Sequence, residues 1–287
     1  MNYEKPGEYP KRRLWVPGSI RSLSSQSRVS RFSDQFNRGV SKGYSNRQSA
    51  FSKEGDVEIF LDSSNLDEIK KWIEEGVIDG VTTNPTIMFK DGVRDLESCT
   101  RGICAVLGER PVSVEVTTND HEEMLEQARA FANWAPHIVV KIPIVNQDGI
   151  SSLGVINRLT NQNIAVNATA ILSFNQAMLA AKAGATYISI FGGRIADEGN
   201  DPAVTIRNVR SWLDMWGYTA KIIVGSIRGV IDVQSAALAG AHIITIPPQF
   251  LPKMVDHKYT RETVRQFNED ATKVAAQIIR AKAAAAD

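Results

Sequence analysis

IVVKIPI, residues 138–144, is an aliphatic run that is interrupted by a single lysine. Short runs of β-branched and aliphatic residues that are apolar on both faces favour buried parallel strands. The chain contains seven more of them: EIFLD (58–62), GVTTN (80–84), VSVEV (112–116), AVNATAI (165–171), TYISIF (186–191), KIIVGSI (221–227) and HIITIP (242–247). Together these runs predict eight parallel strands.

The segments between these runs have the length and periodicity of amphipathic helices. Residues 65–76 place their apolar side chains on one face, with Asn65 suited to the N-cap and Gly76 to the C-terminal exit. Residues 121–135 and 173–184 repeat this pattern. Strands that alternate with helices indicate a sheet whose outer face is covered by helices.

Eight strand–helix units favour closure into a barrel over an open sheet. We therefore assign residues 56–287 to one α/β domain, a single (β/α)8 TIM barrel that ends in a helix over residues 260–285. The Ala-rich end of this helix is suited to packing on a neighbouring subunit, and we expect a homo-oligomer.

Residues 1–55 form a basic extension with a net charge of +7, while the chain as a whole carries only +1. This segment is rich in Ser and Arg and poor in aliphatic residues, which favours disorder or an arm that clings to the barrel. An organelle-targeting peptide is the alternative, but Glu4 and Glu8 argue against it. Sparse aromatic residues leave little support for a nucleic-acid-binding arm, so we expect no nucleic-acid partner.

Cysteine and histidine usage gives no sign of a disulfide framework or a metal site. The two cysteines, Cys99 and Cys104, fall in one predicted helix, and no histidine lies in a cluster with metal-ligand spacing. No apolar run is long enough to span a membrane, and no dinucleotide or P-loop motif is present. We therefore expect a cytoplasmic protein without metal, cofactor or membrane partner.

Catalytic side chains of such barrels project from the carboxyl ends of the strands. Those positions hold a set of polar residues in otherwise apolar surroundings: Asp62, Asn84, Glu115, Lys141, Asn167, Thr169, Ser189, Ser226, and, just beyond two strands, Arg194 and Arg228. This concentration of polar groups predicts an active site at this end of the barrel.

Lys141 is the most informative of these residues. Burial of an ammonium group is costly, and the usual relief is a neutral amine, which can attack a ketone and form an iminium. The alternative is a buried ion pair with Glu115 or Asp62, since such pairs also perturb pKa values. The presence of two carboxylates, Glu115 and Asp62, on other barrel strands favours the catalytic interpretation, with Glu115 as a general acid/base.

Asp62 and Asn84 each have a plain structural alternative. Asp62 precedes a helix and is suited to capping it, although Asn65 and the serines between them can do the same. Asn84 precedes Pro85, and such a pair most often marks a turn.

Arg194 and Arg228 follow adjacent strands that also carry Ser189 and Ser226. Arginine forks and hydroxyls at barrel-strand ends suit a phosphate dianion. Considered singly, each arginine is as well explained by a surface ion pair.

Several segments, in order, resemble the transaldolases, particularly the short subfamily that also includes bacterial fructose-6-phosphate aldolases. They are FLDSSNLDEIKKWIEEGVIDGVTTNPTI, VSVEV, IVVKIPI, NATAILSFNQAMLAAKAGATYIS, FGGRIAD, GSIR and ALAGAHIITIPP, and they extend from residue 58 to about residue 256. The resemblance implies a TIM barrel that transfers a dihydroxyacetone unit from a ketose phosphate to an aldose phosphate in the pentose phosphate pathway, without a cofactor.

The resemblance also implies roles for individual residues. Lys141 matches the Schiff-base lysine, and Asp62 the acid/base for carbon–carbon cleavage. Glu115 and Thr169 match the pair that holds the catalytic water. The donor's hydroxyls would contact Asn84 and Asn167, and the phosphate side would be formed by Ser189, Arg194, Ser226 and Arg228.

Two positions bear on the type of reaction. Glu115 favours the transferase, because the aldolase branch resembles a version with glutamine there. Leu172 stands where the family pattern usually has an aromatic residue, which leaves the acceptor sugar open. The alternatives are a free aldolase, a non-catalytic sugar-phosphate-binding barrel, and a variant for specialised sugar biosynthesis.

Overall fold

The computed structural model describes residues 56–285 of the 287-residue chain. The predicted basic extension over residues 1–55 lies outside the described residues, so its disorder and its alternative as a targeting peptide stay predictions.

Eight parallel strands form a closed barrel in the order β1 to β8, with β8 pairing back onto β1. The strands are β1 Glu58–Asp62, β2 Gly80–Thr82, β3 Val112–Glu115, β4 Ile138–Pro143, β5 Val166–Ile171, β6 Tyr187–Phe191, β7 Lys221–Gly225 and β8 Ile243–Ile246. The predicted (β/α)8 barrel is therefore confirmed. Several strands end one or two residues before the predicted runs do, because strand pairing stops where the chain turns into the loops.

Eleven α-helices lie within the described residues. They are α1 Leu66–Glu74, α2 Pro85–Lys90, α3 Leu96–Leu107, α4 His121–Ala132, α5 Leu153–Thr160, α6 Phe174–Lys182, α7 Gly192–Asp197, α8 Pro202–Trp216, α9 Val230–Leu238, α10 Leu251–Val255 and α11 Lys258–Ala284. A 3-10 turn over Pro248–Phe250 precedes α10.

Helix α1 begins and ends as its sequence predicts. The Asn65 side chain accepts hydrogen bonds from the backbone N–H groups of Asp67 and Glu68, which confirms it as the N-cap. Gly76 follows the helix with a φ of 71°, a left-handed conformation that glycine adopts without a steric penalty. Helix α1 therefore needs no cap from Asp62.

Side chains of the strands alternate between the helical layer and the barrel interior. The outward-facing residues, such as Val140, Ile142 and Val166, join the apolar core beneath the helices. At the amino-terminal end, a separate apolar cluster fills the interior: Phe60, Val139, Tyr187, Ile223 and Ile243. We call the part of the interior that this cluster fills the lower interior. The upper interior, towards the carboxyl ends of the strands, contains polar side chains.

Helix α11 has 27 residues, and none of them is buried in the described chain. It begins two residues earlier than the predicted terminal helix. Its length and composition do not make it a membrane span, and no other helix within residues 56–285 is long and apolar enough to cross a membrane.

Candidate active site

Lys141 lies in the upper interior of the barrel and is only 4% exposed. Its Nζ is 3.1 Å from Glu115 Oε2 and donates a hydrogen bond of 2.9 Å to the carbonyl oxygen of Thr83. Glu115 and Lys141 are register partners on β3 and β4, so strand pairing alone brings them together. The ion pair that sequence reasoning offered as the alternative is thus present within the predicted catalytic site.

Asp62 ends β1, and its carboxyl group accepts a hydrogen bond of 2.7 Å from Thr82 Oγ1. Burial raises the pKa of Asp62, and the positive charge of Lys141 and the hydrogen bond from Thr82 oppose this rise only in part. A carboxyl group with a raised pKa can both accept and return a proton near neutral pH more readily than an ordinary aspartate.

Thr82 on β2 also contacts Thr245 on β8: the two Oγ1 atoms are 2.5 Å apart, so the hydrogen-bonded group extends from Asp62 to the last strand of the barrel. Sequence reasoning missed both threonines. The available signal was their position on the interior face of their strands: Thr82 is the register partner of Asp62, and Thr245 is the register partner of Phe60.

Asn167 is fully buried and holds the centre of a second polar group. Its amide donates to Ser113 Oγ at 3.2 Å, and its Oδ1 accepts from Ser189 Oγ at 2.7 Å. Ser189, which we expected on the phosphate side, thus orients the Asn167 amide. Ser113, which sequence reasoning missed, lies two residues before Glu115 on the same interior face of β3.

Thr169 is fully buried, and its Oγ1 has no hydrogen-bond partner among the described residues. The register between β5 and β6 shifts between Ala168 and Ile171, and Ala170 has a φ of 57° in the left-handed region. Irregularities of this kind redirect side chains beside functional sites. Thr169 itself keeps the regular register with β4, two residues after the register partner of Lys141, so its free hydroxyl faces the same interior as Lys141.

Asn84 begins α2, where its Oδ1 accepts a hydrogen bond of 2.9 Å from the backbone N–H of Ile87. This is the local structural role that an Asn-Pro pair suggests. Asn84 and Glu115 nevertheless line the same cavity of about 260 Å³, although Lys141 itself does not line it.

The other three predicted phosphate-side residues, Arg194, Ser226 and Arg228, lie around α7. Arg194 is exposed on α7 and lines an open cavity of about 390 Å³ together with Leu172. Ser226 has a φ of 59°, and the guanidinium group of Arg228 forms a bidentate ion pair with Asp197 at the end of α7. Arg228 therefore has the ion-pair partner that sequence reasoning considered for each arginine.

This arrangement combines a buried amine, a carboxylate in contact with it, a second carboxyl group of raised pKa, and an unpaired hydroxyl. It can support attack of an amine on a carbonyl group with proton transfer on either side. Residues 56–285 contain no group of three or more metal-ligating side chains placed to hold a metal ion.

The barrel resembles known proteins of one family over almost its whole length. The model of the family described as transaldolase/fructose-6-phosphate aldolase matches residues 59–287. A probable transaldolase of Dehalococcoides mccartyi is 41% identical over 214 residues, which are 75% of this chain and 97% of the relative. A probable transaldolase 2 of Listeria monocytogenes is 43% identical over 214 residues, which are 75% of this chain and 95% of that relative. The chain belongs to the transaldolase/fructose-6-phosphate aldolase family.

Proposed function

We propose that this protein is a transaldolase that carries a dihydroxyacetone unit on Lys141 as a Schiff base. The donor is a ketose phosphate such as fructose 6-phosphate or sedoheptulose 7-phosphate, and the acceptor is an aldose phosphate such as glyceraldehyde 3-phosphate or erythrose 4-phosphate. The observation that carries the proposal is the contact of the buried Lys141 amine with Glu115 in an interior that also contains Asp62.

The reaction begins when the Lys141 amine attacks the donor's ketone carbon. Loss of water then gives an iminium, with protons carried by Glu115 through a water molecule that Glu115 and Thr169 hold. The unpaired Thr169 hydroxyl supports this role, because a buried hydroxyl is stabilised by any partner that reaches it.

Carbon–carbon cleavage follows when Asp62 removes the proton from the donor's C4 hydroxyl. The C3–C4 bond breaks, its electron pair flows into the iminium, and the resulting enamine stays on Lys141 while the aldose phosphate leaves. The acceptor aldehyde then reacts with the enamine carbon as Asp62 returns the proton to the new hydroxyl. Hydrolysis of the iminium releases the product and the free amine.

In this proposal, one set of residues binds the donor's hydroxyls and another set binds its phosphate. Asn167 and Asn84 would contact the donor's hydroxyls, with Asn167 oriented by Ser113 and Ser189. The substrate's phosphate would bind at Arg194, Ser226 and Arg228 around α7. The mechanism requires no cofactor and no metal.

Two observations bear on the choice between transferase and free aldolase. Glu115 is the residue that the resemblance associates with the transferase, and the relatives described above are named probable transaldolases. Leu172 is exposed beside the cavity that Arg194 lines, so it borders the space for the acceptor.

The assembly proposed is a cytoplasmic homo-oligomer. Helix α11 presents Val264, Phe267, Val274 and Ile278 at three- and four-residue spacing, and each is about half exposed or more. Such a stripe is suited to burial against a second copy of the chain. The free thiols of Cys99 and Cys104 agree with a reducing compartment.

The test is borohydride trapping with fructose 6-phosphate, followed by intact mass measurement and peptide mapping. We expect a reduced three-carbon adduct on Lys141 that is absent from the Lys141→Met variant. Lys221→Met is the matched control, because Lys221 is also paired with a glutamate on a barrel strand but lies at the opposite end of the barrel.

Each alternative predicts a different result. A free aldolase would form the adduct and release dihydroxyacetone without an aldose-phosphate acceptor, whereas a transaldolase requires the acceptor for turnover. A non-catalytic barrel would bind the sugar phosphate and form no adduct in folded protein, and this result would overturn the proposal.

A further inference from the structure

The loop that carries Ser226 and Arg228 packs against the first turn of α7 without space for a side chain. A Cβ atom at Gly193 would lie 2.2 Å from the carbonyl oxygen of Ser226 and 2.9 Å from Nε of Arg228. Contacts below 3.0 Å are essentially not found for a real Cβ atom. Glycine at position 193 therefore lets the stem of Arg228 lie directly on α7.

The other end of α7 holds the tip of the same arginine. Both terminal nitrogens of Arg228 donate to the two carboxylate oxygens of Asp197, the last residue of α7. The backbone is fixed separately, because Asp232 Oδ2 accepts from the N–H groups of Arg228 and Gly229 at 2.9 Å each. Arg228 is thus fixed at three places: its backbone N–H, the part of its side chain that packs on Gly193, and its guanidinium group.

The same helix also carries the second arginine of this region. Arg194 and Asp197 are three residues apart on α7 but line different cavities: Arg194 borders the one with Leu172, and Asp197 borders the one with Arg228. One six-residue helix therefore carries Arg194 directly and Arg228 through Asp197.

We propose that Asp197 is a positioning residue for the substrate's phosphate. Its carboxylate holds the two terminal nitrogens of Arg228. The Nε atom of Arg228 then stays on the side of Ser226, where the phosphate would bind. The inference rests on the proposed function, since it takes Arg194, Ser226 and Arg228 as the phosphate-side residues.

The exposure of the pair argues against a mainly structural role. The side chains of Arg228 and Asp197 are 51% and 42% exposed, and ion pairs that are this accessible contribute little to stability. An unpaired arginine samples many rotamers, and each must be lost when a ligand binds. The effect of Asp197 should therefore appear in the affinity for phosphorylated substrates.

The experiment compares a phosphorylated donor with an unphosphorylated one. Borohydride trapping is titrated with fructose 6-phosphate and, separately, with free dihydroxyacetone, which forms the same adduct without a phosphate. For Asp197→Asn we expect the half-saturating concentration of fructose 6-phosphate to rise roughly 3- to 10-fold, with the maximal adduct yield unchanged and the dihydroxyacetone titration unaffected. Asp197→Glu should recover part of the affinity.

Asp214→Asn is the matched control, because Asp214 forms an equally exposed pair with Arg210 on α8, outside the proposed site. It should change neither titration. An equal shift for both donors in Asp197→Asn would show a structural role only, and no shift or tighter binding of fructose 6-phosphate would overturn the proposal.

A binding measurement separates this inference from the proposed chemistry. Calorimetric titration of fructose 6-phosphate into the Lys141→Met variant, with and without Asp197→Asn, reports affinity without adduct formation. An unchanged Kd would overturn the role of Asp197, whatever the trapping result. Absence of an adduct on wild-type Lys141 together with a weakened Kd would instead overturn the Schiff-base proposal and support Asp197.

Discussion

The carboxylate of Glu115 and the amine of Lys141 face each other across neighbouring strands, with Oε2 3.1 Å from Nζ. Both side chains are largely withdrawn from solvent, at 17% and 5% exposure. A buried charge is tolerated when its partner is close, and the same partner can take its proton when a substrate arrives. This contact is the reason why the proposed reaction assigns its first proton transfer to Glu115.

Replacement of Glu115 by glutamine tests this pair. Glu115→Gln keeps the shape of the side chain, removes the proton acceptor and gives the residue that the aldolase branch resembles, so we expect the rate of adduct formation on Lys141 to fall about 10²-fold without being abolished. The rate is measured by timed borohydride trapping with fructose 6-phosphate. Glu97→Gln, which alters an exposed ion pair with Arg101 on α3, is the control and should leave the rate unchanged. An unaltered rate in Glu115→Gln would restrict Glu115 to a structural role.

Asp62→Asn should lower activity and raise stability in a pH-dependent manner. Burial raises the pKa of Asp62 above its ordinary value of 3.8, so the folded state binds its proton more tightly than the unfolded state does. The native state consequently loses stability as the pH rises through the raised pKa, and the asparagine removes this cost. Melting temperatures between pH 4 and pH 8 should show a gain for Asp62→Asn that grows with pH.

The activity of Asp62→Asn should fall about 10²- to 10⁴-fold, as expected for loss of a general acid/base. Adduct formation from free dihydroxyacetone should persist, because that step cleaves no carbon–carbon bond. A stability gain that shrinks as the pH rises would contradict the assigned sign.

Thr169→Val should also stabilise the fold while it impairs catalysis. The substitution removes a buried hydroxyl without a partner in the described chain and preserves its shape, so the free energy of unfolding should rise by about 1 kcal/mol. Activity should fall about 10- to 100-fold if the hydroxyl positions the catalytic water. Thr100→Val is the matched control: its Oγ1 is likewise buried without a partner, but it lies on α3. It should reproduce the stability gain and keep full activity.

Gly80→Ala tests how the lower interior of the barrel is filled. A Cβ atom at this position would lie 2.8–2.9 Å from three carbons of the Phe60 ring, which is itself fully buried. We expect a loss of about 1–3 kcal/mol in the free energy of unfolding, measured by chemical denaturation. Gly154→Ala on α5 has no atom within 4 Å of the added Cβ and should be neutral or slightly stabilising. Equal stabilities of the two variants would refute this packing.

Charge introduced on the apolar stripe of α11 tests the proposed oligomer. Phe267→Glu and Ile278→Glu together should lower the molar mass in size-exclusion chromatography with light scattering, because a buried carboxylate opposes association. Ala276→Glu lies on the opposite side of the same helix and should leave the mass unchanged. A wild-type protein that elutes as a monomer would remove the oligomer from the proposed function.

The residues that determine the fold act locally, and their pattern could be read without the structure. The short apolar runs of the eight strands and caps such as Asn65 depend on residues within one element, so they predict the barrel and most helix boundaries. Lys141 stood out for the same reason: a lysine within an apolar strand conflicts with its immediate neighbours. The carboxylate Glu115 on the next strand followed from the same argument.

The partners of those residues could not be read in this way, because they depend on which strands meet when the barrel closes. Thr82 and Thr245 are 163 positions apart, yet their hydroxyls are in contact beside Asp62. The ion pair of Arg228 with Asp197 joins a loop to a short helix that no periodicity predicted. Sequence patterns repeat every 2 or 3.6 residues and so specify which face a side chain occupies. The identity of the group across the interior is decided only by long-range closure of the barrel, which sets the hydrogen-bond partners of Asp62, while the packing of a loop on α7 sets the ion pair of Arg228.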